Sequence, residues 1–190
     1  MAITSKSFDA STGKPKAVSG AIFRGSGSVA LPTDANTALA SGFVSLGYIS
    51  EDGVTNTPSI STDEKKSWGG LIVLSSVTEK TDEFKFAMIS PLNIDVLKTV
   101  YGETAVTVDS STGNIKIAVD ASDTPEAAFV IEVLVAGVAK RIVIPRGKVK
   151  EIGDIVYNDS DAIGYEVTVS ALADANDKTH YEYIATSKAS

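Results

Sequence analysis

The chain has 190 residues, 43% hydrophobic and 22% charged, with a formal net charge of −7 and no cysteine. That length accommodates one domain with a real core, and the missing cysteine excludes disulfides and thiolate metal sites. The acidic balance argues against tight nucleic-acid binding, which needs surplus Lys and Arg to displace counterions from phosphates.

The opening Met-Ala-Ile-Thr-Ser-Lys lacks the charged-then-apolar pattern of a secretory leader. No apolar run approaches the roughly 20 residues that cross a bilayer. A cytoplasm-like compartment is therefore expected until the protein acts. Residues 1–39 are rich in Ser, Thr, Gly, Ala and Lys, with sparse apolar residues and no sustained period. Alone they cannot offset an ordering entropy of about 1–2 kcal/mol per backbone residue. They read as a partly flexible N-terminal arm, either ordered against a partner or simply a disordered terminus. Gly25-Ser-Gly27-Ser resembles part of a phosphate-cradling loop, but the Gly-Lys-Ser/Thr finish and the strand–helix frame are missing.

Residues 40–190 read as one β-rich domain. A strand enters at Phe43–Ser50. Glu51–Lys66 reads as a polar loop of about sixteen residues, and loops of that length in compact domains are usually functional or disordered. It carries Glu51, Asp52, Asp63, Glu64, Lys65 and Lys66, so it offers charged contacts of both signs. An apolar strand follows around Trp68–Val77, where Trp68 reads as a core or interface anchor. Phe84, Phe86 and Met88 then alternate with Glu83, Lys85 and Ala87, the period of a half-buried strand.

One helix is expected over about residues 91–101. Ser90-Pro91 fits an N-cap followed by proline at the first helical position. Leu92, Val96 and Val100 recur every four residues, Leu97 and Tyr101 widen the stripe, and Gly102 suits the left-handed residue past a helix end. Val106 and Val108, then Ile115, Ile117 and Val119, flank the turn Ser110–Asn114 and predict a hairpin.

Phe129–Val135 is apolar on both faces apart from Glu132, so it requires cover on two sides. Gly137 marks a reversal and Val138–Pro145 returns. Tyr165, Val167, Val169 and Ala171 alternate with polar residues, and Tyr181–Ile184 closes the pattern. Charge here is uneven. Lys140, Arg141, Arg146, Lys148 and Lys150 form a basic run without an acid, whereas Glu151–Ser190 holds eight acids against two bases. These are either solvated strand faces or complementary surfaces that meet in a neighbouring copy.

No catalytic constellation emerges, and the chain does not read as an enzyme. His180 is the sole histidine, which disfavours transition-metal sites and His-based triads; it reads as a strand-edge residue beside Tyr181 and Tyr183. Asp120-Ala-Ser-Asp123 and Asp159-Ser-Asp161 lack a twelve-residue calcium loop and read as turns. Glu51-Asp52 has no aromatic platform for a saccharide. No cofactor or metal is expected. Many strands, short turns and one helix give a mainly β fold: a β-sandwich or rolled, barrel-like sheet with one flanking α-helix.

Gly47-Tyr48 through Gly53, Trp68-Gly69-Gly70 and the helix ending at Tyr101-Gly102 resemble the tail tube protein (major tail protein) of long, non-contractile-tailed bacteriophages, most clearly over Phe43 to about Val119. The resemblance implies a structural virion protein. Six copies would form a ring whose inner sheets join around a lumen, and rings would stack into a hollow tube, with loops and arms reaching the next ring. The type VI secretion tube protein shares this fold. The implied partners are further copies of the chain, the tape-measure protein that the tube surrounds, and tail terminator and initiator proteins. DNA would pass through the lumen without specific binding, no membrane is involved, and assembly would occur in the host cytoplasm. Glu51, Asp52, Asp63, Glu64, Lys65, Lys66, Trp68, Lys140, Arg141 and Arg146 are the candidate contacts between subunits or rings. The other reading is an immunoglobulin-like surface decoration or adhesin module, which would stay monomeric; a carboxylate-based glycosidase has less support at 7% aromatic residues.

Overall fold

A computed structural model describes residues 12–17, 20–26, 28–120 and 124–185. The first eleven residues of the expected arm, Gly27, Asp123 and Lys188 lie outside them.

The architecture is mainly β. Among the described residues nine strands join in one antiparallel sheet, and two more form a separate hairpin. In chain order the elements are β1 (Gly13–Pro15), β2 (Ile22–Gly25), β3 (Phe43–Ser45), β4 (Ile49–Lys66), β5 (Ile72–Met88), α1 (Ile94–Tyr101), β6 (Val106–Val108), β7 (Ile115–Ile117), β8 (Ala127–Val135), β9 (Val138–Ile152), β10 (Tyr165–Leu172) and β11 (Tyr181–Ile184). The sheet runs β3-β2-β8-β9-β10-β5-β4. β1 adds to β8 and β11 adds to β9.

The core occupies one face of this sheet. Phe84, Phe86 and Met88 of β5 and Val167 and Val169 of β10 meet Phe129 and Ile131 of β8 and Ile22 of β2 in a single cluster. The cluster joins strands near opposite margins, so the sheet is curled around its apolar contents. α1 closes the cluster with Val96, Leu97 and Val100, all buried. The helix is shorter than its sequence suggests. Its N-cap is Asn93, whose side-chain oxygen accepts from the Asp95 amide at 2.9 Å. Ser90 instead receives the Tyr48 amide at 2.9 Å, and Leu92 is left exposed. Gly102 ends the helix at φ 96°, with its amide donating to Lys98.

β8 is covered on both sides, as its composition requires. Phe129 and Ile131 face the core, while Val130 and Glu132 face away and are also buried. Gly147 of β9 is fitted to this strand: a Cβ there would lie 2.5 Å from the Phe129 ring.

Two expectations are overturned. Residues 1–39 are not wholly an arm outside the body: β2 is an interior strand between β3 and β8, and Ile22 is fully buried. A four-residue strand among serines and glycines shows no period, so only its long-range pairing reveals it. Nor is Glu51–Lys66 a loop. It is almost all of β4, paired with β5 from Val54↔Phe86 to Lys66↔Ile72. Both faces of its outer half are in solvent, so no alternation marks it as a strand. The two strands expected at Trp68–Val77 and Glu83–Met88 are correspondingly one strand, β5.

Candidate assembly surface

The sequence of β4 and β5 builds a projecting arm. β10 pairs with β5 only from Glu83 to Met88. Beyond that point β4 and β5 pair with each other, from Pro58↔Asp82 to Lys66↔Ile72. Nine positions at roughly 3.3 Å each make a ribbon about 30 Å long. β4, with Pro58 near its middle, is an edge strand of the sheet.

Register assigns the faces of the ribbon, because residues directly opposite each other in antiparallel strands share a face. Val54↔Phe86 and Asn56↔Phe84 lie on the core side. Ile60↔Lys80, Thr62↔Val77 and Lys66↔Ile72 continue that side outward, past register shifts at Ser61/Thr62 and Lys65/Lys66. Ile60, Val77 and Ile72 are all more than half exposed. The core side is thus prolonged into solvent as a mixed face, on which exposed Ile60, Val77 and Ile72 stand among Thr62, Glu64, Lys66, Ser75 and Lys80. Trp68 stands at the tip, fully exposed, beside Leu71. It is not a core residue.

The expected contact residues fall into three places. Asp63, Glu64, Lys65 and Lys66 come together with Trp68 at the free end of the ribbon, opposite Ser76, Ser75, Leu74 and Ile72. Glu51 and Asp52 lie at the near end, where pairing shifts between Ile49 and Val54. Lys140, Arg141 and Arg146 lie on β9 and are engaged within the chain. Lys140 pairs with Glu182 at 2.7 Å. Arg146 donates to Glu126 at 2.8 and 2.9 Å and to the Ala173 carbonyl.

Arg141 is no surface residue. It is buried, paired with Glu132, and donates to the carbonyls of Asp34 and Thr37 at 2.7 and 2.9 Å. Glu132 stands directly across from it in the β8–β9 ladder. Arg141 is therefore withdrawn from the contact set. Proximity of five cations in the sequence hid the fact that alternate residues of a strand face opposite ways.

Asp82 lies at the point where the ribbon leaves the body. It is buried and accepts hydrogen bonds from Asn56 Nδ2 at 2.7 Å and Thr179 Oγ1 at 2.8 Å. His180 Nδ1 stands 2.5 Å from the same carboxylate. Burial by itself would raise the Asp82 carboxyl; the bonds from Asn56, Thr179 and His180 outweigh it and hold the group below its ordinary value. The His180 ring meets Phe84 edge-on at 5.3 Å. Sequence reading placed His180 beside Tyr181 and Tyr183 and missed Asp82, because the two lie 98 residues apart.

A second apolar surface lies on the β6–β7 hairpin. Val106 is buried, but Val108, Ile115, Ile117 and Val119 are exposed. Among the described residues no group of three or more His, Cys, Asp or Glu could hold a metal ion, and no helix is long and apolar enough to cross a membrane.

A curled β-sheet with a helix across its core and a long exposed ribbon defines a structural subunit, with its distinctive chemistry on the outside. The chain belongs to the phage tail tube protein family, whose sequence model matches residues 12–190. It is thus a structural protein of the virion tail. Among curated proteins none matches the chain. Among solved structures it is similar to the anti-feeding prophage cap, a tube-terminating cap determined by cryo-EM, at 7% identity and a TM-score of 0.45, over 83% of this chain and 95% of that one.

Proposed function

We propose that this chain is the repeating subunit of a tail tube. Six copies close into a ring, and rings stack into a hollow tube that surrounds the tape-measure protein and later conducts DNA into the host. The observation that carries this reading is the ribbon: about 30 Å of paired backbone reaching beyond the core, with Ile60, Val77, Ile72 and, at its tip, Leu71 and Trp68 uncovered. An isolated domain gains nothing from such a face, whereas a neighbouring copy covers it. The sheet also ends in two unlike margins, β3 and β4. Two different surfaces that meet between copies make a heterologous interface, which closes into a ring when the rotation allows.

Glu51, Asp52, Asp63, Glu64, Lys65, Lys66 and Trp68 are the proposed contacts of the ribbon with the next ring. Lys140 and Arg146 keep a secondary role, since each already holds an internal acid. The net charge of −7 suits a conduit, because an acidic wall does not trap passing phosphates. Tail terminator and initiator proteins would bound the tube, which would assemble in the host cytoplasm.

Negative-stain microscopy and light scattering of the purified chain test this. Rings or tubes are expected, and they should disappear when residues 59–81 are replaced by a short turn that leaves the body folded. A chain that stays monomeric at every concentration and with tail components present would remove the tube reading in favour of a decoration module.

A further inference from the structure

We propose that Thr179, His180 and Asp82 form a lock that fixes the direction in which the β4–β5 ribbon leaves the body, and that this lock positions the ribbon for assembly. The second half of this statement rests on the tube reading; the first does not.

A two-stranded ribbon about 30 Å long acts as a lever. A small rotation at its root moves its tip by many ångströms, so a tip that must meet a neighbour needs a rigid root. Neighbouring strands stiffen the sheet only as far as they pair with it. β10 stops pairing with β5 at Glu83, one residue short of Asp82. Backbone pairing alone therefore leaves the ribbon held on one side by nothing beyond this point.

Asp82 supplies the missing restraint. Its carboxylate binds Asn56 of β4, so it ties the two ribbon strands together at the root. It also binds Thr179 and His180, the two residues that lead into β11. β11 is itself fastened to β9, from Tyr181↔Val143 to Ile184↔Lys140. The ribbon root is thus connected through one buried carboxylate to a strand in the middle of the sheet. The approach to β11 is fixed in turn: Asp174 accepts from Tyr181 at 2.6 Å and from the amides of Asn176 and Lys178. The His180 ring also packs on Phe84 of the core, so its imidazole cannot swing away from Asp82 without opening that contact. Thr179 and His180 are positioning residues: they act through the ribbon.

The absence of cysteine permits paired spin labels at Ser76→Cys on the ribbon and Lys116→Cys on the β6–β7 hairpin, both exposed positions. Labelled chain diluted into unlabelled protein reports the intrachain distance whether or not copies associate. The expected result is a single narrow distance distribution in the parent, lost in Thr179→Val and in His180→Ala, and regained in Thr179→Ser and in His180→Asn, which restore a donor. The same samples are imaged. Variants with a broadened distance should form fewer or shorter tubes at equal concentration, and the restored variants should recover them. Thr179→Val removes one hydroxyl and keeps the fold, so it decides the matter if His180→Ala unfolds. An unchanged distribution in Thr179→Val and His180→Ala overturns the lock. A broadened distribution with undiminished tubes overturns its role in assembly. If the parent itself forms no tubes, the tube reading and that role fall together, and the distances alone still decide whether the lock exists.

Discussion

Glu132 and Arg141 face each other across the β8–β9 ladder, both out of solvent, and Arg141 spends its remaining donors on the Asp34 and Thr37 carbonyls. The guanidinium thus joins Lys16, 3.4 Å from the same carboxylate, in satisfying a buried acid, and fastens a distant turn to the back of the sheet. Replacing Glu132 with Gln or Ala leaves a buried cation without its counter-charge, which typically costs about 3–5 kcal/mol. Urea denaturation of Glu132→Ala should show a loss of that size. A double replacement by apolar residues of similar volume should recover part of it, because removal of both charges also removes their desolvation cost.

The same turn confers a pH dependence. Hydrogen bonds from the Thr37 side chain and from the Thr37 and Asn36 amides hold the Asp34 carboxyl down at about 2, against 3.8 ordinarily. A carboxyl lowered on folding adds stability that is complete above its unfolded value and lost as pH falls through its folded value. The contribution of Asp34 should therefore disappear between about pH 4 and pH 2. Thermal melts of Asp34→Asn should show a shallower acid slope than the parent over that window; equal slopes would refute the assignment.

Trp68 is the sole tryptophan and is wholly in solvent at the ribbon tip. Its fluorescence should be that of a hydrated indole in the free chain and shift to shorter wavelength as copies associate. Trp68→Ala should weaken association while leaving chain stability within about 0.5 kcal/mol of the parent, as for surface changes generally. Emission that stays constant through assembly would exclude the tip from the interface.

Gly147 is set by packing. An alanine methyl would sit 2.5 Å from the Phe129 ring and 2.9 Å from Val169, and overpacking of this kind costs about 1–3 kcal/mol. Gly147→Ala should lower the denaturation midpoint by a corresponding amount, and Phe129→Leu in the same chain should relieve part of the loss.

What could be read from sequence follows from where solvent lies. β10 alternates strictly because one face is buried, and Tyr165, Val167, Val169 and Ala171 display that in order. The helix is legible through Val96, Leu97 and Val100, although its start is displaced because Asn93, not Ser90, caps it. β8 announces burial on both faces by composition alone. β4 was illegible because its outer half is wet on both sides, so no residue choice records which way it faces. The apolar strand expected around Trp68–Val77 leaves open whether Trp68 anchors a core or an interface, since sequence registers hydrophobicity but not the identity of the chain that will cover it. Asp82 with His180, and Glu132 with Arg141, depend on which strands lie side by side, information that no local window contains.

Pro58 has no backbone donor, and it sits on an edge strand of the sheet, where proline and irregular pairing are the usual means of discouraging stray partners. Together with the break in pairing between Ile49 and Val54, it divides an otherwise long open border into separate short stretches. A stranger's strand can zip along either stretch but cannot run through both, so fibrous aggregation is obstructed while a correctly shaped neighbour is still admitted.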